Sequence, residues 1–332
     1  MLSVLSRFDR RRTLRGGAAV AVVLGLLLWW VLPLGESSPT GSLTFSTGVR
    51  SGVYQRYGER LEGALAKDMP KVSIQLQTSE GSQQNIERVA TGKADFTIAT
   101  ADAVATFMQN GRAGAQRLRA CARLYDDYVQ LVVPRDSGVQ KVADLKGKRV
   151  GVGQPGSGVR LVADRLMNAA GLDPAKSITP VPVGIDTMPT RLANGTLDAF
   201  FWSGGLPTNA VQELSERFSI RLVPLEDPLI SQLQGAGGST RYYRSAVIPA
   251  DAYLNAQQGQ TVPTVAVANL LVTTDRTDPA MTEAFTRTVI DSRDRIGREV
   301  HSAQVVDLRT AIYTDPLPMH EGARRYYRSV KP

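Results

Sequence analysis

Three short stretches combine glycines and hydroxyls at places where a strand gives way to a helix. Thr47, Gly48, Ser51 and Gly52 follow the apolar Leu43–Phe45 and precede VYQRYGERLEGALA. Ser79, Gly81, Ser82 and Asn85 fall where Val72–Leu76 hands over to QQNIERVATG. Pro155, Gly156, Ser157 and Gly158 follow Val150 and Val152 and lead into Leu161, Val162 and Leu166 at helical spacing. Such turns leave bare backbone N–H groups at a helix N-terminus, where the dipole favours an anion. The chemistry on offer is therefore capture of a carboxylate by amides and hydroxyls. A serine at such a place also caps its own helix. Ser157 carries both readings, as do Thr47 with Ser51 and Ser79 with Ser82.

Aromatic and acidic residues extend this candidate site. Tyr54 and Trp202 each offer a flat face for the aliphatic part of a ligand, with Gly204 beginning the loop beyond Trp202. Trp202 reads equally well as a core residue ending a strand. Asp102 opens a predicted helix, where it either caps the helix or meets a ligand amino group. His320 lies between Pro318 and Gly322 and reads as a structural hydrogen-bonding residue; no GxSxG nucleophile turn occurs. Cys121 is flanked by alanines and reads as a small buried residue. Two histidines and one cysteine argue against a His/Cys metal site and rule out an internal disulfide. Gly151, Gly153 and Gly156 fit the dinucleotide pattern GxGxxG, which raises a nucleotide-dependent enzyme as one alternative. The acidic partner expected about 20 residues on is missing: Asp173 lies in the turn GLDPAK, and Asp186 comes too late. No cofactor is expected.

The elements that must hold these turns follow from the alternation of patterns. Strands are expected at 43–47, 72–78, 95–99, 128–133, 149–153, 178–183, 197–202, 219–223 and 264–274. Helices are expected at 52–68, 82–91, 101–109, 157–170, 187–194, 207–216 and 279–299. Strands alternating with helices imply an α/β fold with mostly parallel sheets, whose ligands bind outside the carboxyl ends of the strands. Arg241–Arg244 and Arg324–Arg328 read as solvated faces.

The 332 residues are 42% hydrophobic, enough to bury a sizeable core and form two lobes. The net charge of +8 is concentrated at the start, where Arg7, Arg10, Arg11, Arg12 and Arg15 face only Asp9. No basic stripe interleaved with aromatics suggests nucleic acid. Residues 16–34 are apolar and would span roughly 29 Å as a helix, enough to cross a bilayer. Trp29 and Trp30 fall at its far end, and the arginines hold the N-terminus in the cytoplasm. A cleaved signal peptide is the competing reading, disfavoured by the long apolar run and the lack of an A-x-A site. Twin-arginine export is a lesser alternative. The expected layout is a basic cytoplasmic head at 1–15, a membrane anchor at 16–34 and a linker at 35–42. Lobe I comprises 43–130 with about 226–332, and lobe II comprises 131–225.

Several motifs, taken in order, resemble the TAXI family of solute receptors from TRAP-type transporters. Thr47-Gly48-Val49-Arg50-Ser51-Gly52-Val53-Tyr54 is similar to its TGGTGGxY, and Thr78-Ser79-Glu80-Gly81-Ser82-Gln83-Gln84-Asn85 to its GSxEN turn. Asp102 sits at its QSD aspartate, and Leu118-Arg119-Ala120 through Leu124-Tyr125 resembles LRxLAxLY. The fullest match runs from Asp144-Leu145-Lys146-Gly147-Lys148-Arg149-Val150 into Gly153-Gln154-Pro155-Gly156-Ser157-Gly158. Leu197-Asp198-Ala199-Phe200-Phe201-Trp202 with Gly204-Gly205-Leu206-Pro207 follows, then His320-Glu321-Gly322-Ala323 with Arg325-Tyr326-Tyr327, similar to the terminal HPGAxRYY. Val49, Arg50 and Ser51 depart from the small residues of the first motif. Gln84 replaces a glutamate, and Arg50 offers a possible cation at the cleft.

The resemblance implies a two-lobed periplasmic-binding-protein-like fold (type II) that closes on a small carboxylate or amino acid such as glutamate. It also implies integral membrane TRAP permease subunits as partners. On this reading the protein sits in the cell membrane as a single-pass protein with its binding domain outside the cytoplasm. A membrane-anchored ligand sensor for a signalling partner is the alternative that keeps the same fold.

Overall fold

Ten strands form one continuous sheet in the computed structural model, which describes residues 39–330. They are β1 (Gly41–Ser46), β2 (Val72–Gln77), β3 (Phe96–Thr100), β4 (Leu118–Pro134), β5 (Arg149–Gly151), β6 (Thr179–Val181), β7 (Ala199–Gly204), β8 (Ile220–Val223), β9 (Tyr243–Ile248) and β10 (Val262–Thr274). Helices of nine residues or more are α1 (Val53–Asp68), α2 (Ser82–Ala90), α3 (Ala101–Gln109), α4 (Gly158–Ala169), α5 (Asn209–Arg217), α6 (Asp227–Gly235), α7 (Pro279–Asp291) and α8 (Glu321–Ser329). The main path of the sheet is β2-β1-β3-β10-β4-β7-β5-β6, with β8 paired to β4 and β9 to β10. The α/β periplasmic-binding-protein-like fold is therefore present.

The strand directions correct one expectation. Pairs at the two ends are parallel, β1 with β2 and β3, and β5 with β6 and β7. The middle is antiparallel, because β10 opposes β3, β4 and β9, and β4 opposes β7 and β8. β4 and β10 join the two ends. The first part of β4 pairs with β10 and its last residues with β7 and β8, so Tyr128–Pro134 is the far half of a 17-residue strand. β10 pairs with β9 from Val262 and with β3 up to Val272.

Burial follows the two-residue period of the strands. At the β1–β3 end, Phe96, Ile98, Cys121 and Leu271 face α1, α7 and α8 in a core with Tyr57, Leu61 and Phe285. Phe96 stacks on Phe285 with ring centroids 4.1 Å apart. The neighbouring Ala99, Ala120, Leu270 and Val272 face the other way, onto Ile86 and Val89 of α2 and Val104 of α3. The β5–β7 end has its own core, in which Val150, Phe200 and Phe201 pack with Val162 and Leu166 of α4.

Two segments read as surface are partly interior. Tyr243 is buried in β9, and Tyr326 is buried in α8 beside solvated arginines. Among the described residues no helix is long and apolar enough to cross a membrane. The basic head 1–15, the anchor at 16–34 and the first part of the linker lie outside the described residues.

Candidate ligand-binding cleft

The turns that lead into α1, α2 and α4 meet at one cleft of about 600 Å³, counting the space that opens to solvent. Gly48, Val49, Gly52, Val53 and Tyr54 come from the β1–α1 turn, and Glu80, Gly81 and Ser82 from the β2–α2 turn. Gly153, Gln154, Ser157, Gly158 and Val159 come from the β5–α4 turn. Trp202, Ser203 and Gly204 close the side at the end of β7, and Gly184, Thr100 and Asp127 complete the lining. The first amides of each helix have no carbonyl one turn behind them and point out of the helix start. Three positive dipole ends therefore share one space, and among the described residues no lysine or arginine lines it.

Glycine geometry makes this approach possible. Gly153 has φ +82°, and a Cβ there would lie 2.8 Å from Ser157 Oγ and from Val159 Cβ. Gly81 has φ +126°, and its Cβ would meet Ser157 Cα at 3.4 Å, so the α2 and α4 turns touch. Hydrogen bonds tie the same turns together: Gln83 Nε2 donates to Ser157 O at 2.7 Å, and Gln84 N–H to Gly156 O at 3.1 Å.

Hydroxyls around the cleft divide into those already used and those without partners. Ser157 Oγ accepts from Arg160 N–H at 3.0 Å and donates to Gln154 O at 2.7 Å, so its side chain is the cap of α4. Thr100 Oγ1 and Ser203 Oγ are buried in the lining and have no hydrogen-bond partner among the described residues. Leaving a buried hydroxyl unpaired costs about 1–3 kcal/mol.

Beneath the cleft runs a continuous polar chain. Thr100 N–H donates to Ser82 Oγ at 3.2 Å, and Ser82 Oγ lies 3.1 Å from Tyr54 Oη. Tyr54 Oη donates to Asn269 Oδ1, and Asn269 Nδ2 donates to Asp127 Oδ1 at 2.7 Å. Asp127 is only 4% exposed. Burial pushes its carboxyl up to about 7, against the hydrogen bond from Asn269, with the negative charges of Asp126 and Asp102 adding to the rise. Burial likewise lifts the Tyr54 phenol well above its ordinary range.

Of the sequence-predicted site residues, Gly48, Gly52, Tyr54, Gly81, Ser82, Ser157, Gly158, Trp202 and Gly204 line the cleft. Trp202 also belongs to the core of its end of the sheet, and its Nε1 donates to Thr208 Oγ1 at 3.0 Å. The remaining predicted residues lie elsewhere. Asn85 is fully buried: its Nδ2 donates to Thr47 O and Ile98 O, and its Oδ1 accepts from Ser46 and Ser79. Thr47 bonds Gln55 and Gln77. Ser51 bonds Asp186 and borders a separate crevice. Pro155 and Gly156 face a shallow groove beside Gln83 and Phe107. Arg50 is exposed and outside the cleft lining.

Asp102 sits in the first turn of α3 and joins a second polar cluster. Arg165 of α4 pairs with its Oδ2 at 3.1 Å, and Tyr243 Oη donates to the same oxygen at 2.6 Å. Arg165 also donates to Thr106 Oγ1 at 2.7 Å and Ser239 Oγ at 2.6 Å. His320 caps α8: its Nδ1 accepts from Gly322 N–H, and the tautomer protonated at Nε2 donates to Thr277 O. Burial lowers its imidazole pKa.

Asp127, Thr100 and Ser203 were absent from the sequence reading. Thr100 and Ser203 stand at the carboxyl ends of β3 and β7, where α/β sheets bind ligands, and that position was the available signal. The acidic pair in LYDDY gave no such signal.

The pattern that defines the NMT1-like family matches residues 45–330, and the chain belongs to that family. A protein of known structure from Bordetella bronchiseptica RB50 superposes with a TM-score of 0.54 at 17% identity, over 88% of this chain and 98% of that one. A putative L-cystine ABC transporter from Listeria monocytogenes superposes with a TM-score of 0.50 at 13% identity, over 81% and 99%. The periplasmic aliphatic sulphonate binding protein of Escherichia coli gives 0.43 at 14% identity, over 81% and 76%. The first two similarities concern the fold.

Proposed function

We propose that this member of the NMT1-like family is an extracytoplasmic solute receptor that captures a small carboxylate or amino acid. Its two lobes, 43–130 with about 226–332 and 131–225, would close over the ligand. The observation that carries the reading is the meeting of the α1, α2 and α4 N-termini at one cleft whose buried Thr100 and Ser203 hydroxyls have no partner among the described residues. A bound carboxylate would accept from the helix amides and from those hydroxyls. Closure removes water and strengthens each such contact. Ligand binding shifts an open–closed equilibrium by its differential affinity for the two forms.

The closed form, with the α2 and α4 turns bonded across the cleft, would be the shape a transporter recognises. The ordered motifs similar to the TAXI family point to TRAP-type integral membrane subunits as that partner. Residues 16–34 would tether the receptor to the membrane beside them. Calorimetry on the full chain in mild detergent tests the reading against glutamate, glutamine, 2-oxoacids and dicarboxylates. Saturable heat with at least one of these is expected, together with a raised melting temperature. Absence of binding across the whole panel would overturn the reading.

A further inference from the structure

We infer that Asp127 selects ligands that carry an ammonium group beside the carboxylate, and so sets the specificity of the cleft for amino acids over plain organic acids. The inference rests on the receptor reading above.

Asp127 lies on β4, where that strand pairs with β10, and it belongs to the cleft lining. Asn269 on β10 fixes one carboxylate oxygen through its amide, while the other takes no hydrogen bond among the described residues. Asn269 is itself held by Tyr54, and Tyr54 by Ser82, so the carboxylate is oriented from three elements. A buried carboxylate normally has a cationic partner. Among the described residues, the cleft lining supplies none. Nearby cations are engaged elsewhere, Arg165 on Asp102, and Arg123 and Arg244 on Asp126. The missing positive charge therefore falls to the ligand. Helix-start amides and one carboxylate in the same lining form a dipolar site, one part anion-seeking and the other cation-seeking. A zwitterion satisfies both ends at once. A simple acid leaves Asp127 unpaired and adds a second negative charge.

The groups facing Asp127 are few. Asp126 and Asp102 are paired as above, and burial raises the phenols of Tyr54 and Tyr125 far beyond neutral pH. Glu80 is the remaining acid in the lining, and it is only half-buried. Between mildly acid and mildly alkaline pH, Asp127 is thus the buried group in the lining that changes charge, with its midpoint at about 7.

The test compares matched pairs that differ by the amino group: L-glutamate with glutarate, L-alanine with propionate, and L-valine with isovalerate. Calorimetry uses the full chain in mild detergent. At about pH 8 the amino member of a bound pair is expected to win by about tenfold or more, as for a charge-assisted contact. Asp127→Asn keeps the shape and the bond from Asn269 but removes the charge, and it should reduce that ratio to about threefold or less. The wild-type protein alone provides a second readout, because protonating Asp127 by lowering the pH to about 5.5 should shrink the same ratio. Equal binding of both members at pH 8 would overturn this inference and leave the receptor reading standing, as would a ratio unchanged by both the substitution and the pH. Binding of neither member of any pair would overturn this inference, and absence of binding across the wider panel of glutamine, 2-oxoacids and dicarboxylates as well would overturn both.

Discussion

Two buried polar clusters, one around Asp102 and one in the cleft, are satisfied to different degrees. In the cluster of Asp102, Arg165, Tyr243, Thr106 and Ser239, protein groups answer one another, and among the described residues only Asp102 Oδ1 is left without a partner. In the cleft, two hydroxyls and one carboxylate oxygen have no hydrogen-bond partner among the described residues. The first cluster is closed on itself. On the proposed reading, a ligand completes the second. That contrast separates residues whose loss should cost stability from those whose loss should cost binding.

The largest expected effect breaks the self-satisfied cluster. Arg165→Met strands the Asp102 carboxylate, which is only 2% exposed on its side chain. Loss of one partner of a buried pair costs about 3–5 kcal/mol. Urea unfolding should show that drop, and adding Asp102→Asn to Arg165→Met should recover part of it. Next comes Gly153→Ala, where φ +82° and contacts below 3 Å leave no room for a methyl group. A loss of about 2–3 kcal/mol is expected from strain and overlap together, with ligand binding lost as the α4 turn shifts.

Smaller effects sharpen the contrast. Ser157→Ala removes a cap whose hydroxyl is fully used, so it should lower stability by about 1 kcal/mol and leave the discrimination between ligands unchanged. Thr100→Val does the reverse. It replaces a buried unpaired hydroxyl with a methyl, so stability without ligand should rise by about 1 kcal/mol while affinity falls by about 0.5–1.5 kcal/mol. Equal losses of stability from these two substitutions would erase the distinction between the clusters.

Asp127 contributes a pH dependence of definite sign. Its folded value of about 7 exceeds the ordinary 3.8, so the folded state holds the proton more tightly than the unfolded chain. The stabilisation is complete below about pH 4 and is lost as pH rises towards 7. Melting of the ligand-free protein should show this decline, and Asp127→Asn should flatten it.

How much of this could be read from the chain depends on the distance over which each feature is encoded. The strand–turn–helix units around 47–54, 79–85 and 151–158 are local, because strand period, glycine and helical face follow within twenty residues, and all three reappear in the structure. Features encoded at long range were missed. Asp127 is defined by Asn269, 142 residues later, and Asp102 by Tyr243, 141 residues later. Neither partner leaves a mark on the local pattern. The first half of β4, LRACARLYDD, was not read as a strand because its charged residues mask the alternation, while β9 was hidden by the arginines beside Tyr243. The antiparallel centre was missed because periodicity carries no direction.

The amides at the three helix starts have a consequence for genetics. Every amino acid except proline brings the same N–H, so no exchange of side chains deletes these donors. Scanning this rim with alanine would report little, even where the contact dominates the affinity. Proline in the first turn, bulk that pushes the main chain away, or chemical synthesis that swaps an amide for an ester would expose what those positions contribute.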